Sequence, residues 1–252
     1  MPMAKRKRSS SGPTEQTNPI QLLQDLQTKP ELSHQSVAVT GLGPQLALLR
    51  TWQSERLKQT YKDLLEDNDS RAVCLFFLSD IYAPRDFSQR NFDVERFYGI
   101  LSHILPPTVL QLAKDVIELN HRTDDLDGQL LQVLVNELGM SDSITVEQYA
   151  EGYRRCDNYA ARSDQIDLVV KVVNKIGDTA HIFGVGIALQ LLRQPALAAG
   201  WAELYDFLAR GYDAFRQMRN VRAFANTINE REQRILSQIF AGAADPLGKL
   251  IF

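Results

Sequence analysis

Asp80, Tyr82, Arg85 and Asp86 fall within seven residues of one another, directly after an unbroken apolar run, Ala72–Leu78. Carboxylates, a phenol and a guanidinium at the mouth of an apolar element form the kind of polar end that fixes a ligand in an otherwise greasy pocket. These four are the candidate binding residues. The same residues also suit a helix end and its exit turn. Asp80 and Arg85 then pair, Tyr82 buries its ring with the hydroxyl at the rim, and Pro84 stops the helix because Ala83 is biased away from helical geometry. Asp86-Phe-Ser-Gln89 has the form of a cap for a following helix, with Asp93 and Glu95 near its N-terminal dipole. The partner of Asp80 separates the two readings.

Other chemistry is thinly represented. The histidines are His34, His103, His121 and His181, and three of them follow an acid by three residues: Glu31/His34, Glu118/His121 and Asp178/His181. Glu-x-x-His pairs on two helices, with a Glu from each of two others, build the di-iron centres of ferritin-like bundles. Such ligands sit mid-helix and face inward, whereas His34 falls in a linker and His121 and His181 at helix ends, so no metal and no other cofactor is expected. Cys74 lies inside the apolar run and Cys156 on a helical stripe, where a thiol acts as a small hydrophobe. The sequence contains no HExxH, GxSxG, phosphate-binding glycine loop or EF-hand pattern. No catalytic residue is nominated.

Composition narrows the partners. Hydrophobic residues at 44% and charged residues at 23% are ordinary for a soluble globular chain of 252 residues. No apolar run approaches the roughly 20 residues that span a bilayer, and the N-terminus has no apolar segment behind its basic cluster, so it is not read as a secretory signal. Two cysteines without a CxxC pair suggest a reducing cytoplasm. The net charge is −3, but Lys5, Arg6, Lys7 and Arg8 precede any acid, which leaves −7 on the remainder. An acidic body is a poor partner for phosphate backbones, so nucleic acid is disfavoured except through residues 5–8, and a protein partner is preferred.

The elements that must position these residues are helical. Residues 1–18 read as a disordered basic tail and 19–44 as a short helix, capped by Asn18-Pro19, and a linker. From 45 to 242 apolar residues recur at steps of three and four, the helical period. One helix carries Leu46 to Leu65. The apolar run, rich in Ala, Leu and Phe, makes a central helix. Phe97–Leu105, Val109–Ile117 and Leu126–Leu138 each mark another, the last ending at Gly139. Thr145-Val-Glu-Gln148 is a capping box opening a helix with Tyr149, Tyr153 and Cys156. Ile166, Val169, Val170, Val173 and Ile176 fit a helix better than a strand, since alternation fails at both Val-Val pairs. Pro195 is read as a break before a long helix from Leu197 to Phe215 that contains Gly200 and Gly211. A last helix runs from about Val221 to Phe240, and 243–252 form a tail. The expected fold is all-α, a single compact domain of about eight helices.

The segments FFLSDIY followed by APRDFSQRN, RSDQIDLV (162–169) and LLRQPALAAGWAELYDFLARGYDAFRQM (191–218) resemble the bacterial family named for its FFLEELY motif. Ser79 stands at the first Glu of that motif, Asp80 at the second and Ile81 at the Leu. The family carries no assigned function, so the resemblance implies a helical fold and a bacterial setting and assigns no chemistry. Adjacent helical positions point about 100° apart, so two neighbouring carboxylates there would not make a paired acid/base site. The functional expectation is a cytoplasmic protein-interaction or regulatory scaffold; the alternative is a helical enzyme or a metal- or small-ligand-binding protein with its site near residues 80–86 or at a carboxylate–histidine metal site.

Overall fold

The computed structural model describes residues 43–82 and 107–248. All of them fall in the compact unit Ser33–Phe252. Arg85, Asp86, the 97–105 helix and Lys5–Arg8 lie outside the described residues. The fold is all-α: nine α-helices and no strand among the described residues. They are α1 (Gly43–Thr60), α2 (Lys62–Glu66), α3 (Arg71–Phe76), α4 (Pro107–Asn136), α5 (Val146–Cys156), α6 (Tyr159–Ala180), α7 (Val185–Ala198), α8 (Ala202–Gln217) and α9 (Val221–Phe240), with a π-helical turn, Phe77–Ile81, continuing α3.

Several boundaries differ from the pattern-based expectation. The 46–65 helix is broken at Tyr61, whose backbone leaves the helical region (φ −114°, ψ 26°). The two helices expected between 109 and 138 are one, because the polar stretch Glu118–Asp125 contains no breaker and simply forms the wet part of α4. Pro195 does not break the chain. It sits in the last turn of α7, where the lost amide costs little continuity, and the break comes at Gly200. Gly200 takes a left-handed φ of +79°, and the amides of Gly200 and Trp201 close back on the carbonyls of Leu197 and Ala196, a helix-ending geometry that favours glycine. Gly211 is a close-approach glycine: a Cβ there would lie 2.9 Å from the Phe76 ring, so its absence lets α8 pack on α3. The capping box is present in both directions, Gln148 N–H to Thr145 Oγ1 and Thr145 N–H to Gln148 Oε1, each 3.1 Å.

The hydrophobic interior is divided. One cluster joins Leu49 and Trp52 of α1, Leu130 and Leu134 of α4, Tyr149 of α5, and Ile235 and Ile239 of α9. The other joins Val73 and Phe76 of α3, Val173 of α6, Phe215 of α8, and Phe224 and Ala225 of α9. Helix α9 serves both, its first half in one cluster and its second half in the other. Between them its stripe Phe224–Ile228–Glu232–Ile235–Ile239 is interrupted by a carboxylate. Helix α7 contributes no buried residue to either.

Candidate functional site

The junction of the two clusters is hollow. A cavity of about 130 Å³ is bounded by α1, α2, α3 and its π turn, α4, α5, α6 and α9. Phe77, Leu78, Val169, Phe224 and Ile228 form its apolar side.

Its polar side is built from charged residues that occupy stripe positions in four helices. Arg56 lies one turn after Trp52 on α1, and its Nη1 donates to Glu232 Oε1 of α9 at 2.6 Å. The Tyr61 hydroxyl donates to the same oxygen at 2.8 Å. Arg162, one turn before Ile166 on α6, reaches α4. Its Nη1 donates to Asp127 Oδ1 at 3.0 Å and to Gln165 Oε1 at 3.1 Å, and its Nη2 to the Leu126 carbonyl at 2.8 Å. The same guanidinium lies 4.6 Å from the centre of the Tyr153 ring. The Tyr149 hydroxyl donates to that of Tyr153 at 2.9 Å, and Trp52 stacks on Tyr149 with ring centres 4.1 Å apart. Each arginine retains one buried nitrogen, Nε, with no hydrogen-bond partner.

Protonation follows from these contacts. Burial alone would lower both guanidinium pKa values. The attraction of Glu232 and of neighbouring tyrosines outweighs it at Arg56, and that of Tyr153 and Asp127 at Arg162, so both are raised. Burial, with Glu232 adding to it, pushes the phenols of Tyr61 and Tyr82 up, and burial also raises Tyr149. Cys74, on the cavity wall, is pushed up to about 12 by burial and by Asp63 and Asp67. General acid–base catalysis is most efficient with a pKa near the working pH, and all of these groups are moved away from neutrality. The arrangement is a set of fixed charges and neutral phenols, suited to holding a molecule in place.

Of the four residues singled out after the apolar run, two are described, and they do different things. Tyr82 lines the cavity. Its amide donates to the carbonyl of Phe77, five residues back, at 2.9 Å, closing the π turn. Asp80 is 2% exposed and accepts Nε (3.0 Å) and Nη2 (2.6 Å) of Arg210 on α8 through one oxygen, while Ser79 Oγ donates to the other at 2.7 Å. It is not part of the cavity wall. The π turn has five residues; Phe77, Leu78 and Tyr82 meet the cavity while Asp80, on the other face, reaches α8, and such turns recur at functional sites.

The acid-x-x-His coincidences do not converge. Glu118 pairs with Arg122 at 3.1 Å, and His181 Nδ1 lies 2.8 Å from the Gly177 carbonyl at the end of α6; Glu31 and His34 lie outside the described residues. Among the described residues no three His, Cys, Asp or Glu side chains are grouped to hold a metal, and no helix is long and apolar enough to cross a membrane.

Residues 33–246 match the family model described as Domain of unknown function (DUF8198). The chain belongs to that family. Every described residue of the cavity wall falls inside the matched span, and Lys5–Arg8 fall outside it. No curated protein and no solved structure matches the chain. Arg56, Asp127, Arg162 and Glu232, the functional candidates of this DUF8198 member, escaped a motif search because they lie far from one another in sequence. Their signal is positional: a charge where the helical period calls for an apolar residue.

Proposed function

We propose that the protein binds a small molecule in the cavity between its two cores and does not transform it. The observation that carries this reading is the space itself, about 130 Å³ lined by aromatic and aliphatic side chains and by two preformed charge pairs. A cavity of about 150 Å³ in an engineered protein core is enough to take up benzene, and pockets with an apolar wall and a few fixed polar groups are the usual form of small-ligand sites. Trp52, stacked on Tyr149, is a built-in reporter. In the Trp201→Phe background, which leaves Trp52 as the sole tryptophan, titration with single-ring aromatic compounds gives a saturable fluorescence change. Val169→Phe, which fills the cavity, abolishes that change while keeping the helical circular dichroism. A flat titration, or an unaffected Val169→Phe protein, removes the reading.

A second reading, association with a protein partner, is favoured by α7. Ile187 and Leu191, one turn apart on it, are exposed, Leu191 by 73%, and Phe183 in the turn just before it by 96%; monomeric proteins rarely leave such a patch in water without use. Partner recovery from the native cell, lost on Leu191→Glu without a change in melting temperature, is its test. The free thiols Cys74 and Cys156 support a cytoplasmic setting, and FFLSDIY supports kinship with the FFLEELY-motif family.

A further inference from the structure

Resting on the cavity-binding reading, we infer that Gln53 is the residue that recognises the ligand, and that the ligand presents an N–H donor and an acceptor side by side, as a carboxamide or a nucleobase edge does. On α1 the line Leu49–Gln53–Leu57–Tyr61 runs at steps of four, so Gln53 puts an amide where the turns before and after it carry Leu. Gln53, Leu57 and Tyr61 all line the cavity, and Gln53 is only 6% exposed.

Three buried polar residues stand in the described wall: Gln53, Arg56 and Arg162. The two arginines are held by Glu232 and Asp127. The Gln53 side chain has no hydrogen-bond partner among the described residues, and neither atom of its amide is sealed from contact as the two arginine Nε atoms are. Buried polar side chains are hydrogen-bonded in the large majority of cases. Bonding to water alone adds nothing to folding, so an apolar residue would serve the core at least as well. The amide is therefore explained by what it binds. A carboxamide offers an accepting oxygen and an NH2 donor in one plane. A ligand that only accepts leaves the oxygen unmet, and one that only donates leaves the NH2 unmet. A ligand with both groups adjacent closes a two-bond ring, the pairing by which Gln reads adenine. These bonds replace bonds to water, so Gln53 supplies selectivity more than raw affinity.

The test is a ligand series on the full-length protein and its Gln53→Met variant, both in the Trp201→Phe background, read by calorimetry and by Trp52 fluorescence. Acetophenone and benzamide have nearly the same shape and differ by a methyl group against NH2; adenine presents the donor–acceptor edge from a nucleobase. The preference for benzamide over acetophenone should fall about 10-fold in Gln53→Met, the scale of one hydrogen bond, and comparing the two proteins cancels the ligands' different hydration. Met matches Gln in length, so the melting temperature should hold or rise. Adenine binding tighter than benzamide, and weakened in the same way by Gln53→Met, assigns the edge to a nucleobase; the reverse order assigns it to a carboxamide. A preference unchanged by Gln53→Met overturns the recognition role and leaves cavity binding standing, as Val169→Phe then still abolishes acetophenone binding. A clear fall in melting temperature makes Gln53 a packing residue and overturns the role as well. On the unaltered chain, the carbonyl stretch of isotope-labelled benzamide should move below its position in apolar solvent, and an unshifted band overturns the pairing. Failure of all three compounds, with Val169→Phe indistinguishable from wild type, overturns the inference and the cavity-binding reading together.

Discussion

Glu232→Leu removes the carboxylate on which two donors converge and leaves the Arg56 guanidinium buried without its partner. The side chains of Arg56 and Glu232 are 10% and 17% exposed, so the pair sits in a medium of low effective dielectric. Breaking a buried pair by removing one partner costs about 3–5 kcal/mol, much of it the desolvation of the charge left behind. Residual exposure and the room the cavity offers for water place this case near the lower end, at about 3 kcal/mol. For a domain of this size that corresponds to a fall in melting temperature of about 6–12 °C. Glu232→Gln keeps an accepting oxygen for Tyr61 and Arg56 and removes only the charge, so it should cost about half as much. The double change Arg56→Met with Glu232→Leu removes both charges and should recover most of the loss, with a coupling of about 2 kcal/mol between the sites. Urea denaturation of wild type, these three variants and Arg56→Met alone measures all three quantities. Single and double variants that lie within about 0.5 kcal/mol of wild type would refute the picture of a closed, poorly hydrated polar seam, since additivity at that level is what independent sites show.

Asp80→Ala leaves Arg210, whose side chain is half-exposed, free to rehydrate, so its cost should be confined to about 1–2 kcal/mol in denaturation with ligand affinity unchanged; loss of binding without loss of stability would instead put Asp80 in the site. Burial would raise the pKa of Asp115, but hydrogen bonds from Lys175, Gln111 and Lys171 outweigh it and hold it down at about 2. Its contribution is therefore present above the unfolded value of 3.8 and lost as pH falls through about 2, and the acid unfolding midpoint of Asp115→Asn should show a shallower decline between those values. With burial raising Cys74 to about 12 and Cys156 less far, a disulfide reagent at pH 8 should modify half-buried Cys156 first, and bound ligand should slow Cys74 alone. Gly211→Ala drives a methyl to 2.9 Å from the Phe76 ring and should lower stability by about 1–3 kcal/mol, the usual range for overpacking.

The helical class was legible because period and caps agree. Thr145-x-x-Gln148 and the Val221–Phe240 stripe fall where the pattern puts them, since a capping box is a local, two-bond device and the last helix has apolar residues at nearly every turn. Boundaries set by tertiary contact were not legible. Whether Gly200 is a helix residue or the turn between two helices depends on where Trp201 packs, and the break at Tyr61 depends on its bond to Glu232, 171 residues away. The site was legible only in part. Tyr82 belongs to it, but Asp80 does not, because residues two apart on a helix point about 200° from each other, and Tyr82 shares its face with Leu78 and Cys74 instead. Arg56, Asp127, Arg162 and Glu232 come from four helices, and only the fold brings them together.

The polar seam has a cost that stability alone does not explain. Filling a void in a core recovers about 24 cal/mol per Å³, so a cavity of about 130 Å³ forfeits at most about 3 kcal/mol, a sizeable share of the stability of a typical domain. The two ion pairs add little in compensation, because buried pairs are often matched or bettered by apolar residues of the same shape. Two Leu-rich cores that met without a seam would be the more stable solution for helices α1, α4, α6 and α9. The same wall that forfeits packing supplies graded polarity: rings on one side, fixed neutralised charges on the other, phenols between. Stability surrendered at one locus in an otherwise well-packed interior is the usual mark of a site kept for binding. Helix α9, which lines the cavity, is also the helix shared between the two cores, so occupancy of the cavity would tie the two halves together.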